Sequence, residues 1–157
     1  MIDLEKTVIN ALAFCIEGTS EFRTQADVIA GLNRGNYTVN SRLRRYIARD
    51  VAGYLSEKYG SRIKASRLYG STADYTACTF SDIDMIVLVT DLPADFSKTI
   101  AEMDQILSDA YYSLLGKDAG DRSYLLDLHV INEDPDVRIQ PSKAYLEHIL
   151  LYESVVA

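Results

Sequence analysis

Three aspartates and one Gly-Ser pair carry most of the chemistry on offer in this sequence. The stretch Gly70-Ser71-Thr72-Ala73-Asp74-Tyr75-Thr76-Ala77-Cys78-Thr79-Phe80-Ser81-Asp82-Ile83-Asp84 reads as a tight turn, a short helix and a strand opening with two carboxylates. That strand, Ile83 to Val89, is one of the most apolar runs in the chain. Side chains alternate along a strand, so Asp82 and Asp84 point the same way. Like charges side by side repel unless a cation holds them together, and a divalent metal is the natural candidate. A second apolar run, Tyr124 to Ile131, carries Asp127 in its middle. Strand interiors are depleted in Asp. One such residue is ordinarily a solvated edge position; three on apolar strands of one small sheet are harder to dismiss. If the two strands are neighbours, the three carboxylates converge. Oxygen-only ligation of this type suits Mg²⁺, which takes one or two carboxylates, waters and substrate phosphates.

The Gly-Ser turn supplies the other half. A glycine at a strand end lets the backbone turn sharply and approach a ligand closely. Free N–H groups at the start of a following helix form an anion site, and Ser71 adds a hydroxyl. The ordinary alternative is a helix cap, because Ser71-Thr72-Ala73-Asp74 has capping-box form. Both roles fit different states, since a cap and a phosphate compete for the same donors. Gly-Ser alone is a weak signal; Ser-Asp-Ile-Asp ten residues later makes it a strong one.

The elements that must position these residues follow from periodicity. Leu4, Val8, Leu12 and Cys15 lie at helical spacing, with Gly18 as a stop. Thr24-Gln25-Ala26-Asp27 resembles a capping box ahead of a short helix carrying Val28, Ile29 and Leu32. Gly31 to Asn36 reads as a loop. A longer helix is expected over about Asn40 to Lys58, with Leu43, Ile47, Val51 and Leu55 as its apolar stripe. Arg42, Arg45 and Arg49 form a second stripe on another face, either a solvated surface or a contact for an anion, nucleic acid or partner. Residues 24–46 also admit a helix-turn-helix reading, against which the long loop counts. Strands are predicted at Ile63 to Tyr69, Ile83 to Thr90 and Tyr124 to Ile131. Residues 72–78 are helix-compatible, and Phe96, Ile100, Met103, Leu107, Ala110 and Leu114 mark an amphipathic helix ended by Gly116. Val137 to Ile139 reads as a short edge strand, and Pro141-Ser142 opens a last helix with Tyr145, Leu146, Ile149 and Leu150 on its apolar side. The expectation is an α/β (α+β) fold, a small mixed sheet flanked by helices, with an N-terminal helical segment. One domain is expected over 1–157, mainly helical over 1–60 and sheet-containing over 61–157.

Composition narrows the setting. Of 157 residues, 48% are hydrophobic and 25% charged, as in an ordinary globular domain. Cys15 and Cys78 form no metal-ligand spacing and read as buried small apolar residues. The acidic start and the lack of a membrane-length apolar run lead to a cytoplasmic expectation without membrane contact. Net charge is −7, which argues against indiscriminate nucleic-acid binding. The charge is unevenly spread, however: residues 31–70 hold nine basic and two acidic side chains. His129, two residues after Asp127, reads as a hydrogen-bonded structural histidine before a phosphate or metal contact. His148 reads as a surface residue. Tyr69 and Tyr75 flank the turn and read as packing residues before base-stacking ones. No Walker-type loop, zinc spacing or Ser-His-Asp order is present.

Taken together, Leu68-Tyr69-Gly70-Ser71, Ser81-Asp82-Ile83-Asp84-Met85-Ile86-Val87 and Leu126-Asp127-Leu128-His129-Val130 resemble the polymerase-beta-type nucleotidyltransferase superfamily. The likeness is greatest to its minimal, antibiotic-modifying and antitoxin-like members, and it covers about residues 40–131. The resemblance implies that Gly70 and Ser71, with Ser81, hold the nucleotide. It implies that Asp82 and Asp84 bind two Mg²⁺ ions, and that Asp127 shares a metal and helps deprotonate the attacking hydroxyl. The implied reaction moves an NMP from an NTP, expected to be ATP, to a hydroxyl of a small molecule, protein or RNA. Minimal members commonly follow Gly-Ser with a small residue, an arginine and a glycine; here Asp74 puts an acid in that run. Larger members carry a helical domain after the third strand to hold the acceptor. Here the N-terminal helices, a second copy or a protein partner are expected to do so. The rival expectation is a binding or regulatory module that kept the fold without turnover, docking nucleic acid or protein through Arg42, Arg45 and Arg49.

Overall fold

The computed structural model describes residues 1–17, 20–117, 124–132 and 149–153. Three helices come first: α1 (Leu4–Glu17), α2 (Gln25–Asn33) and α3 (Tyr37–Tyr59). A 3₁₀ turn (Gly60–Arg62) leads into β1 (Ile63–Tyr69), which runs straight into the one-turn helix α4 (Gly70–Ala73). Then come β2 (Ile83–Val89), α5 (Phe96–Leu114), β3 (Leu126–Asn132) and β4 (Ile149–Glu153). The sheet order is β3-β2-β1-β4. β1 is antiparallel to both β2 and β4, whereas β2 and β3 are parallel. The fold is therefore mixed α+β, with a small mixed sheet and an N-terminal helical segment.

The helical stripes meet the sheet in one core. Leu43, Ile47, Val51 and Leu55 of α3 are fully buried, with Leu4, Val8 and Leu12 of α1 and Met103 and Leu107 of α5. From the sheet, Ile63, Leu68, Ile83, Met85, Val87 and Val89 join the same cluster. The helical 1–60 part and the sheet-containing part thus share one apolar interior. No helix among the described residues is long and apolar enough to cross a membrane.

Local chemistry explains the helix ends. Both halves of the capping box at α2 are present: Thr24 Oγ1 accepts from the Asp27 N–H at 3.1 Å, and Asp27 Oδ2 accepts from the Thr24 N–H at 3.1 Å. The loop expected over Gly31 to Asn36 shrinks to residues 34–36. Gly31 is helical and buried, and Phe22 packs on it so closely that a β-carbon there would lie only 2.7 Å from the Phe22 ring. Asn36 then caps α3, its Oδ1 accepting from the Val39 N–H at 2.9 Å, so that helix starts earlier than its apolar stripe. The turn between α2 and α3 is short enough for a helix-turn-helix. Even so, Val39, Asn40, Ser41, Leu43 and Arg44 are buried, so much of the first turns of α3 is packed inward and only the side with Tyr37, Thr38 and Arg42 reaches the surface.

Four expectations change. Residues 72–78 are not a helix: α4 spans only Gly70–Ala73, and Tyr75 closes it with a positive φ of 59°. Ser71 therefore lies inside the first turn and Asp74 at the C-terminal cap, so the pair is not a capping box. Cys78 is exposed rather than buried. Ile149 and Leu150, expected on a helix, belong to β4, which pairs with β1. A short apolar run fits either period, and the open edge of β1 offers backbone partners that a helix does not need. The expected helix start at Pro141-Ser142, the Val137 to Ile139 strand, His148 and the Gly18 stop lie outside the described residues.

Candidate functional site

The topology brings the three aspartates together. Asp84 is the second residue of β2 and Asp127 the second residue of β3, and the parallel register sets them directly side by side. Asp82 lies just before β2. Carboxylate oxygens of Asp82, Asp84 and Asp127 all lie within 4.8 Å of one another. Asp82 is exposed and the other two are half-buried. Across the antiparallel pair, Tyr69 stands opposite Asp84, so the chain leaves β1 for the Gly70-Ser71 turn at this same end of the sheet.

Electrostatics at the cluster are unbalanced. Burial, followed by repulsion from Asp127 and Asp82, pushes the Asp84 carboxyl up to about 6, with His129 opposing weakly. His129 Nε2 is 3.6 Å from Asp127 Oδ1, and its ring centroid is 6.1 Å from that of Tyr69. The imidazole is exposed at the rim of the cluster, beside Asp127. Three close carboxylates, one resisting ionisation, form a hard oxygen donor set that fits a divalent cation such as Mg²⁺.

Gly70 shapes this site in a way that the sequence did not disclose. Its φ is +70°, and a β-carbon there would land on the Asp84 carboxylate, only 3.2 Å from Cγ. Both the left-handed backbone and the close approach require glycine. The Ser71 hydroxyl makes no hydrogen bond among the described residues. Ser81 is differently placed: its Oγ accepts from the Cys78 N–H at 2.9 Å and so braces the loop before Asp82. Asp74 is exposed.

Several residues that hold the site were missed from sequence. Arg44 is completely buried. Its Nε donates to Ser81 O at 2.9 Å, its Nη1 to Asn40 Oδ1 at 2.8 Å, and its Nη2 to Thr79 O at 2.9 Å and Tyr111 Oη at 3.0 Å. Tyr111 Oη donates in turn to Thr79 O at 2.7 Å. These bonds tie α3 and α5 to the loop that delivers Asp82. The available signal was Ala48 and Ala52, which continue the Arg44 line at i+4 and i+8 and widen the buried face. Asp104 on α5 does the same for β3, its Oδ1 accepting from the N–H groups of Leu125 at 3.0 Å and Leu126 at 2.9 Å. No local pattern announces that bond, because its partners are 21 and 22 residues away. Arg45, which the sequence offered in the arginine stripe, braces the turn itself, donating to Thr72 O at 3.1 Å and Ala73 O at 2.6 Å.

Fold and site together define a small mixed α+β protein with a carboxylate triad beside a glycine turn. No family model matches the chain, and no curated protein matches it either.

Proposed function

We propose that this chain is a Mg²⁺-dependent nucleotidyltransferase that moves an NMP from an NTP, taken to be ATP, to an acceptor hydroxyl, with pyrophosphate as the leaving group. The observation that carries the reading is the meeting of Asp82, Asp84 and Asp127 within 4.8 Å, at the end of the sheet where Gly70-Ser71 turns. Asp82, Asp84 and Asp127 would hold the metal ions. Bound Mg²⁺ supplies charge neutralisation for phosphate oxygens. Asp84 must be ionised to take part, so the site favours pH above its raised value. Asp127 would receive the proton of the acceptor hydroxyl. Ser71, whose hydroxyl has no hydrogen bond among the described residues, would donate to the nucleotide phosphates. Gly70 keeps the turn close to Asp84 without a clash. Positioning and charge neutralisation contribute most of the rate enhancement in this kind of transfer.

The test supplies an α-labelled NTP, Mg²⁺ and a panel of small-molecule, protein and RNA acceptors. Label should move to one acceptor class, and Asp82→Asn or Asp84→Asn should abolish the movement while leaving the fold intact. Transfer that persists in both variants would overturn the mechanism. Metal-dependent ATP binding without transfer to any acceptor would instead favour the binding-module reading.

A further inference from the structure

A second site lies outside the carboxylate triad. Between α1, α3 and the 74–75 turn is a cleft of about 180 Å³, lined by Phe14, Arg42, Arg45, Tyr46, Arg49 and Tyr75. Its wall holds three guanidinium groups and three aromatic rings and, among the described residues, no carboxylate. In a chain of net charge −7, such a concentration of positive charge runs against the average.

The arginines are oriented but not neutralised. Arg42 Nη2 donates to the Phe14 carbonyl at 3.3 Å, and its guanidinium lies 4.7 Å from the Phe14 ring centroid. Arg45 is held by the Thr72 and Ala73 carbonyls and lies 3.9 Å over the Tyr75 ring. Phe14 in turn packs on Tyr46 at 5.4 Å between centroids. Carbonyls and ring faces fix a guanidinium in place without cancelling its charge. Arg49 is exposed and makes no hydrogen bond or ion pair among the described residues. The result is a positive wall in which Arg42 and Arg45 are held and Arg49 keeps its donors unused, an arrangement suited to phosphate.

Size selects the ligand further. Drug-sized ligands occupy roughly 300–1,000 Å³, so this cleft takes a phosphate and part of what it is attached to, with the remainder outside. We infer that the Arg42-Arg45-Arg49 cleft is a binding site for the phosphate group of a phosphate ester, presented by a mononucleotide or by a nucleic-acid strand. Through Arg45 the cleft is joined to the residues that directly follow Gly70-Ser71. The inference rests on the cleft alone and does not require nucleotidyl transfer.

The experiment is run in EDTA, which keeps the carboxylate triad silent. Inorganic phosphate, AMP and a short single-stranded RNA are titrated into the wild-type protein and into Arg49→Gln, with adenosine as the uncharged control. At least one phosphate-bearing probe should bind, with affinity that falls as salt rises. Arg49→Gln should weaken that binding about tenfold, the loss of a charge-assisted hydrogen bond, with an unchanged melting temperature. Arg42→Gln is the second variant, its melting temperature recorded alongside, and it should weaken the same probe. AMP binding well above that of phosphate points to a mononucleotide, and RNA binding above both points to a strand. Failure of all three probes at millimolar concentration would overturn the inference. So would equal binding of adenosine, or wild-type affinity in both arginine variants.

Discussion

At the scale of single residues, the site is an arrangement of like charges held closer than they prefer. Asp84 shows it: its carboxyl is raised from 3.8 to about 6 by burial and by its two acidic neighbours. Because the folded value exceeds the unfolded one, the folded chain holds the extra proton between those two values. The stabilising contribution of this group is therefore fully present below pH 3.8 and is lost as pH rises through about 6. In metal-free buffer Asp84→Asn should melt higher than the wild type at pH 8, with the gap narrowing toward pH 5; thermal scans across that range check the sign. In the opposite sense, Mg²⁺ affinity should fall as pH drops below about 6, since the proton and the metal compete for one carboxylate. Gly70 makes the second case. Gly70→Ala forces a side chain into the left-handed region, at a cost of about 1–2 kcal/mol. It also drives a β-carbon against Asp84. Metal affinity measured by calorimetry should suffer more than that strain alone accounts for; unchanged affinity would show that the turn has room to spare.

At the scale of elements, the carboxylates are only as well placed as the segments that carry them. β2 and β3 are parallel, so Asp84 and Asp127 are neighbours by register, and side chains from the helices hold the segments that lead into both strands. Arg44 supports the first of these. Arg44→Ala would remove the donor to the Ser81 carbonyl and to Asn40 Oδ1, leave Thr79 O with Tyr111 alone and empty a fully buried position, so a loss of about 3 kcal/mol or more is expected in urea titration. Arg44→Lys should recover little, because an ammonium lacks the planar fork that reaches α5 and the loop at once. Asp104 supports the second. Asp104→Ala removes the acceptor for two backbone N–H groups and should cost about 1–3 kcal/mol. Hydrogen exchange should quicken first at Leu125 and Leu126; uniform quickening across the chain would mean that Asp104 has no local role.

At the scale of the whole molecule, helices and sheet share one apolar interior, so binding at the sheet end is felt by the entire fold. A ligand that binds only the folded state stabilises it by about 2.7 kcal/mol at a hundredfold excess over its Kd. Mg²⁺ should therefore raise the melting temperature of the wild-type protein, and an excess of chelator should reverse the gain. Asp82→Asn, changed at the exposed member of the triad, should lose most of that response without lowering the metal-free melting temperature. A shift of equal size in the variant would separate the stabilising metal from the triad.

Much of this organisation was legible in the chain. The stripes Leu43-Ile47-Val51-Leu55 and Phe96-Met103-Leu107 announced core helices, because periodic burial is written in local spacing. The apolar strands announced that Asp82, Asp84 and Asp127 were out of place, because an acid among buried residues needs a reason. Tertiary structure alone decided the rest. Parallel pairing of β2 and β3 turned three separated acids into one cluster. The pairing of β4 on β1 took Ile149 and Leu150 out of the expected helix. Arg44 was buried against carbonyls 35 and 37 residues away, and Asp104 was turned into an acceptor for β3. Arg42 and Arg45, which the sequence offered as a solvated or docking stripe, were set against rings and carbonyls around a cleft. Periodicity and residue type are local properties. Register, long-range hydrogen bonds and desolvation depend on which distant segments meet, and no spacing within one segment records that.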